Sequence, residues 1–302
     1  MTAIQVRDLW MRYGDKDVLR GLDIDVESGE VVALLGPNGA GKTTTIEILE
    51  GFRVPSTGEV RVLGEDPATA GEDWRARVGV VLQSWQDHAR WSPRALLEHL
   101  GRYYEPFSTS GRPRPFPIEE LIDLVGLADE ADQKILTLSG GQRRRLDVAV
   151  GIVGRPELLF LDEPTAGFDP KAKRDFHDLI HRLSDQDETT IVLTTHDLDE
   201  AEKLSSRIMI LAGGQIVADG SADALARQVT RNAEVRWSEN GQRFVHSTPD
   251  ATPFVRELLT RNPEVDDLEV RRATLEDTYL AMVARYEAGI DVGGVQFEEV
   301  AS

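Results

Sequence analysis

VVALLGPNGAGKTTTIEIL, residues Val31–Leu49, is the stretch from which the rest of the chain is read. Five apolar residues run without alternation, the pattern of a strand buried on both faces of a parallel sheet. A glycine-rich segment interrupts them, and a helical run begins at Lys42. Strand, glycine loop and helix in that order open an α/β unit. Gly36 to Thr43 fills every fixed position of G-x-x-x-x-G-K-[ST]. Glycines let backbone N–H groups converge on an anion without side-chain clashes, and the loop leads into a helix N-terminus. The candidate phosphate contacts are therefore Gly36, Pro37, Asn38, Gly39, Ala40, Gly41, Lys42, Thr43 and Thr44. Lys42 would reach the terminal phosphates of ATP and the Thr43 hydroxyl would ligate magnesium. An ordinary glycine turn is the competing reading, and the position between strand and helix argues against it.

The all-apolar strand pattern returns at VGVVL (Val78–Leu82), LLFLD (Leu158–Asp162), TIVLT (Thr190–Thr194) and IMIL (Ile208–Leu211), with helical patterns between the later ones. The class this implies is α/β, a P-loop NTPase parallel core sheet covered by helices. IQVRDL (Ile4–Leu9) and LDIDVESGE (Leu22–Glu30) alternate apolar and polar, which predicts an antiparallel β layer at the N-terminus. No strand pattern occurs between Gln83 and Arg155. SPRALLEHLGRYY starts with Ser92 as N-cap and Pro93 at the first helical position, and PIEELIDLVGL is helical up to Gly126. Residues 84–155 thus read as a helical insertion, with a turn-rich loop at Ser108–Pro117. Past Ala224 the character changes: EVRW, RFVH and DLEVRRA read as short strands around a helix at Pro253–Arg261, and a final helix begins at Thr274. The expected division is an ATPase domain over 3–223, an α+β appendage over 224–288 and a flexible acidic tail over 289–302.

The 302 residues, 40% hydrophobic and 29% charged, suit one large domain and a small one. No stretch reaches the roughly 18–20 uncharged apolar residues that cross a bilayer, and the N-terminus has no apolar signal core. The expected location is cytoplasmic, with any membrane role exercised through a partner. Cysteine is absent, which excludes disulfides and thiolate chemistry. The formal net charge of −19 argues against gripping nucleic acid through phosphates. The run Arg143–Arg145 is accordingly read as solvated or facing bound phosphate, and no nucleic-acid partner is expected.

LLFLDEP places Asp162 and Glu163 at the end of an apolar strand, on the sheet edge where ligands collect. Adjacent acids point differently and can hold separate tasks: Asp162 the metal, Glu163 polarising the attacking water as general base. LSGGQ (Leu138–Gln142) brings a hydroxyl and two glycines to another helix start, a second anion-binding element.

With these motifs, residues 3–223 resemble the nucleotide-binding domain of ABC transporters. The resemblance implies that Ser139, Gly140, Gly141 and Gln142 close over ATP held by the phosphate loop of a second copy, in a head-to-tail dimer. It implies that Tyr13 stacks on adenine, that Gln83 meets magnesium and the permease, and that His196 contacts the γ-phosphate. The catalytic set is then Glu163, His196 and Gln83, and the magnesium set is Thr43, Gln83 and Asp162. Ala166-Gly-Phe-Asp169 matches the loop through which two such domains read each other's sites, with Phe168 standing where the family usually has Leu. RRATLEDTYLAMV resembles the C-terminal segment of ABC ATPases of the daunorubicin-resistance type, which serve exporters whose permease is a separate polypeptide. Trp85 and Trp91 follow the glutamine, where such domains receive the permease. The resemblance implies peripheral association with the inner face of the cell membrane. An ATPase of an importer and a soluble, non-transport ABC ATPase are the alternatives. Members acting on ribosomes usually carry two such motif sets and those acting on DNA carry long coiled-coil insertions, neither of which is found here.

Overall fold

The computed structural model describes residues 1–81, 88–165, 168, 170–187, 189–229, 233–239, 242–248, 250–262, 265–271, 276 and 279. The chain forms two compact units, Met1–Ile216 and Val217–Ser302.

The first unit opens with β1 (Thr2–Tyr13) and β2 (Lys16–Glu27), both longer than their alternation predicts. The reason lies in the break at Arg7-Asp8. Ala3, Ile4 and Val6 point inward, and burial resumes at Leu9 and Met11, one residue out of step. A register shift between Val6 and Leu9 absorbs the extra residue, with Asp8 at φ 46°. The Asp8 N–H donates to Asp23 (2.9 Å), and its carboxylate accepts from the Trp10 indole (2.7 Å). The bulge therefore lets one strand keep its apolar side on the core along its whole length.

β3 (Val31–Leu35) is fully buried and leads into α1 (Lys42–Leu49). β4 (Thr57–Val62) joins the N-terminal layer, whose antiparallel order is β2-β1-β4. After the single turn α2 (Glu72–Arg75) comes β5 (Val78–Val81). The insertion follows: α3 (Pro93–Gly101) is capped by Ser92, α4 is Ile118–Leu124, and α5 is Gly140–Ile152. Among its described residues it contains no strand. Then come β6 (Leu158–Asp162), α6 (Pro170–Asp187), β7 (Thr190–Thr195), α7 (Leu198–Leu204) and β8 (Arg207–Ala212). With β9 (Gln215–Gly220), which crosses the division between the units, they build a six-stranded sheet of order β5-β6-β7-β3-β8-β9. The pairs β5–β6, β6–β7, β7–β3 and β3–β8 are parallel. Leu34, Phe160 and Val192 of this sheet share one buried cluster with Ile4, Leu22 and Ile24 of the antiparallel layer.

In the second unit, α8 (Ala222–Val229) precedes a three-stranded antiparallel sheet. β10 (Ala233–Glu239) lies between β11 (Gln242–Thr248) and β12 (Asp266–Arg271). Val235 and Trp237 of the sheet bury against Leu258 of α9 (Ala251–Arg261). The helix expected from Thr274 lies, apart from Glu276 and Tyr279, outside the described residues, as does the acidic tail.

Candidate nucleotide site

Two glycines show why the loop after β3 has its composition. A Cβ on Gly36 would stand 2.3 Å from the Leu211 carbonyl oxygen. Gly41, at φ 111°, would place one 2.6 Å from Leu19 Cδ2. Gly41 is also the N-cap of α1 and offers no side chain to the first turn. The free N–H groups of that turn are therefore left for an anion. Lys42 folds back into the loop, its Nζ donating to the carbonyls of Gly36 (2.7 Å) and Pro37 (3.3 Å). Burial lowers its pKa, while Glu163 and Asp162 act against that shift. Beside it opens a cleft of about 480 Å³ lined by Tyr13, Asn38, Gly39, Lys42, Thr43 and Glu163, among others. Tyr13 is 40% exposed, and the Arg53 guanidinium stands 5.1 Å above its ring, held by Glu47 at 2.7 Å.

The order β6-β7-β3 sets the C-terminal ends of three neighbouring parallel strands side by side. Asp162 accepts from Thr194 Oγ1 (2.5 Å) on one oxygen and from Thr43 Oγ1 (3.5 Å) on the other. The Glu163 backbone N–H donates to Thr194 (3.2 Å to O, 3.1 Å to Oγ1), and the residue sits at φ 43°. Its Oε1 lies 3.2 Å from His196 Nδ1 and 3.9 Å from Lys42 Nζ. The structure thus brings Lys42, Thr43, Asp162, Glu163 and His196 together from three loops. The Thr43 hydroxyl and the Asp162 carboxylate are hard oxygen donors, the kind magnesium takes alongside phosphate oxygens and water. Among the described residues no cluster of three or more His, Cys, Asp or Glu side chains could hold a metal by protein ligands alone.

Ser139 caps α5 through a reciprocal pair: its hydroxyl accepts from the Gln142 N–H (3.3 Å), and its own N–H donates to Gln142 Oε1 (2.8 Å). Gln142 Nε2 reaches Glu130 at 2.9 Å. A Cβ on Gly140 would meet nothing within 4 Å. Ser139, Gly140, Gly141 and Gln142 do not line the Lys42 cleft. Gln83, Trp85, Ala166, Gly167 and Asp169 lie outside the described residues. Phe168 meets Phe176 edge-on, ring centroids 6.0 Å apart.

The arginine run departs from its reading as solvated or phosphate-facing. Arg144 is buried, Arg145 bonds Asp175 at 2.5 Å, and Arg143 lies 3.4 Å from Asp147. Two acids also escaped the sequence reading. Glu200 is buried and accepts from the Thr165 hydroxyl (2.6 Å) and the Thr195 hydroxyl (2.5 Å), joining the segments that follow Glu163 and precede His196. Glu50 lies close enough to Asp162 and Glu47 to feel their charge, and burial with that charge pushes its pKa up to about 8. Both are acids in helical patterns, and no local signal marks Glu200 as buried or Glu50 as half-buried.

A glycine loop leading into a helix start, with an aspartate, a glutamate and a histidine gathered beside its lysine, is the arrangement of the P-loop class of nucleotide-binding proteins. The model of the ABC transporter family matches residues 19–166. The daunorubicin resistance ATP-binding protein DrrA3 of Streptomyces coeruleorubidus is 34% identical over 304 residues, covering 92% of this chain and 95% of that protein. The Nod factor export ATP-binding protein I of Burkholderia lata is 38% identical over 225 residues, 74% of this chain and 73% of that protein. Among solved structures, an ATP-binding subunit of an ABC transporter superposes with a TM-score of 0.63 at 28% identity, over 75% of this chain and 93% of its own. A cassette solved as a dimer with ADP and phosphate has a TM-score of 0.62 at 23% identity, over 72% of this chain and 98% of its own. The chain belongs to the ABC transporter family as an ATP-binding subunit, and it is an ATP hydrolase.

Proposed function

We propose that two copies of this chain, arranged head to tail, enclose two ATP molecules, and that hydrolysis there drives export through a separate membrane permease. The observation that carries this is the separation, within one copy, of two glycine-bearing helix starts suited to an anion. The Lys42 loop has its acids beside it, whereas the exposed start of α5 at Ser139 lies off that cleft. A second copy offering its Ser139–Gln142 segment would complete the pocket.

Within that pocket Gly36–Thr44 and Lys42 hold the phosphates, and Tyr13 offers an aromatic face to the base. Thr43 and Asp162 would hold magnesium, with Gln83 as a further ligand. When bound, magnesium neutralises charge on the phosphates during transfer. Glu163 takes the proton of the attacking water, and His196, hydrogen-bonded to Glu163, faces the γ-phosphate. Loss of that phosphate removes what joins the two copies, and their separation is passed to the permease. No helix among the described residues is long and apolar enough to cross a membrane, so the proposed place is peripheral, on the inner face, through the permease. Export is favoured because the relatives' names speak of drug resistance and of Nod factor export.

Glu163→Gln tests the chemistry. It keeps the shape and the ATP affinity but removes the base, so turnover should fall by about 10²–10⁴-fold while ATP-dependent dimers accumulate in sedimentation. Wild-type turnover in that variant would remove Glu163 as the base.

A further inference from the structure

Arg144 is a long cation placed where a chain of this net charge could easily have solvated it, yet only 7% of it is exposed. It projects from the second turn of α5, five residues after Ser139, into the turn that follows β6. Its Nε donates to the Pro164 carbonyl (2.9 Å) and its Nη2 to the Asp162 carbonyl (3.2 Å). One planar guanidinium thereby holds the backbone on both sides of Glu163.

That turn needs holding. Glu163 has φ 43°, a left-handed conformation that strains a residue with a Cβ and persists only where neighbouring structure enforces it. Among the described residues, contacts from both sides bear on it. On the strand side, the Glu163 N–H is held by Thr194. On the helix side stand the bonds from Arg144 to the Pro164 and Asp162 carbonyls, and its fixed fork of donors suits paired carbonyls better than an ammonium does. Asp147, one turn further along α5, lies 3.9 Å from Arg144 Nη1 and helps keep the cation in place.

We infer that Arg144 is a positioning residue for hydrolysis: it sets the turn that aims the Glu163 carboxylate, without touching nucleotide itself. This rests on the reading of Glu163 as the base. Because Ser139 caps α5, the same guanidinium ties the segment that would cover the second copy's nucleotide to the base of its own copy's site.

Steady-state ATPase kinetics of Arg144→Gln and Arg144→Lys, with thermal unfolding of each, test the inference. Arg144→Gln should lower kcat at least tenfold and leave KM for ATP within threefold. Arg144→Lys, keeping the charge beside Asp147 but not the fork, should lose three- to tenfold in kcat. In single turnovers, Arg144→Gln combined with Glu163→Gln should be no slower than Glu163→Gln alone, because the two act through one group. If Arg144→Gln does not fold, the lysine variant decides alone. A folded variant with kcat within twofold of wild type, or a loss carried entirely by KM, would overturn the proposal. Full turnover by Glu163→Gln would instead bring down the reading of the base itself, so the two failures are separable.

Discussion

Glu50 carries a proton in the folded chain at a pH where its unfolded counterpart has lost one. Burial is the main cause, and the charges of Asp162 and Glu47 add to it, giving a pKa of about 8 against an ordinary 4.5. The sign follows from linkage. A raised folded pKa means the native state binds more protons, so stability is full below the unfolded value and is lost as pH rises through the folded one. Glu50→Gln, which cannot ionise, should therefore gain over wild type from about pH 4.5 to about pH 8 and then hold its lead. Thermal unfolding in magnesium-free buffer at pH 5.5 and 8.5 checks this, and a gap no wider at the higher pH would contradict it. The same scale marks what sequence reading can reach. Lys42, Thr43 and Asp162 are legible as candidates because each stands at a fixed place in a motif beside an apolar strand, whereas His196 enters only through the family resemblance. Arg144 and Glu200 are not, since their burial comes from segments distant along the chain: Arg144 meets residues 162 and 164, and Glu200 meets Thr165.

Elements show the same division. The core strands could be read from unbroken apolar runs, and the insertion from its N-cap and helical spacing. The third strand of the antiparallel layer escaped, because TGEVRV is short and its partner β1 lies some fifty residues earlier. The bulge at Asp8 escaped because alternation breaks there and resumes in shifted register. Helix α5 supports a sharper statement, as the cap that Ser139 forms and the phosphate contact proposed for it can be separated. As an N-cap with Gln142 in the reciprocal position, its loss in Ser139→Ala should cost about 1 kcal/mol. Ser139→Asp keeps a good cap and places a negative charge at the positive end of the helix dipole, so unfolding should occur at or above the wild-type temperature. As a γ-phosphate contact the same aspartate repels what it should bind, and turnover should fall more than tenfold. An aspartate variant that is stable and fully active would leave Ser139 a cap only.

For the whole molecule, the formal net charge of −19 bears on how two copies meet. Like-charged bodies repel over a Debye length, about 30 Å at 0.01 M salt and about 8 Å at 0.15 M. The proposed pairing brings two such bodies together while the local contacts, Ser139 and Gly141 on phosphate, lie inside a closed cleft and are screened far less. Salt should therefore weaken the repulsion more than it weakens the attraction. In the Glu163→Gln variant with ATP, where hydrolysis does not dissolve the pair, raising salt from 0.01 to 0.15 M should lower the dimer Kd. Sedimentation at several protein concentrations reads this directly. If the dimer instead loosened steadily with salt, its faces would be held by exposed ion pairs, and the buried phosphate would not be the main tie between the copies.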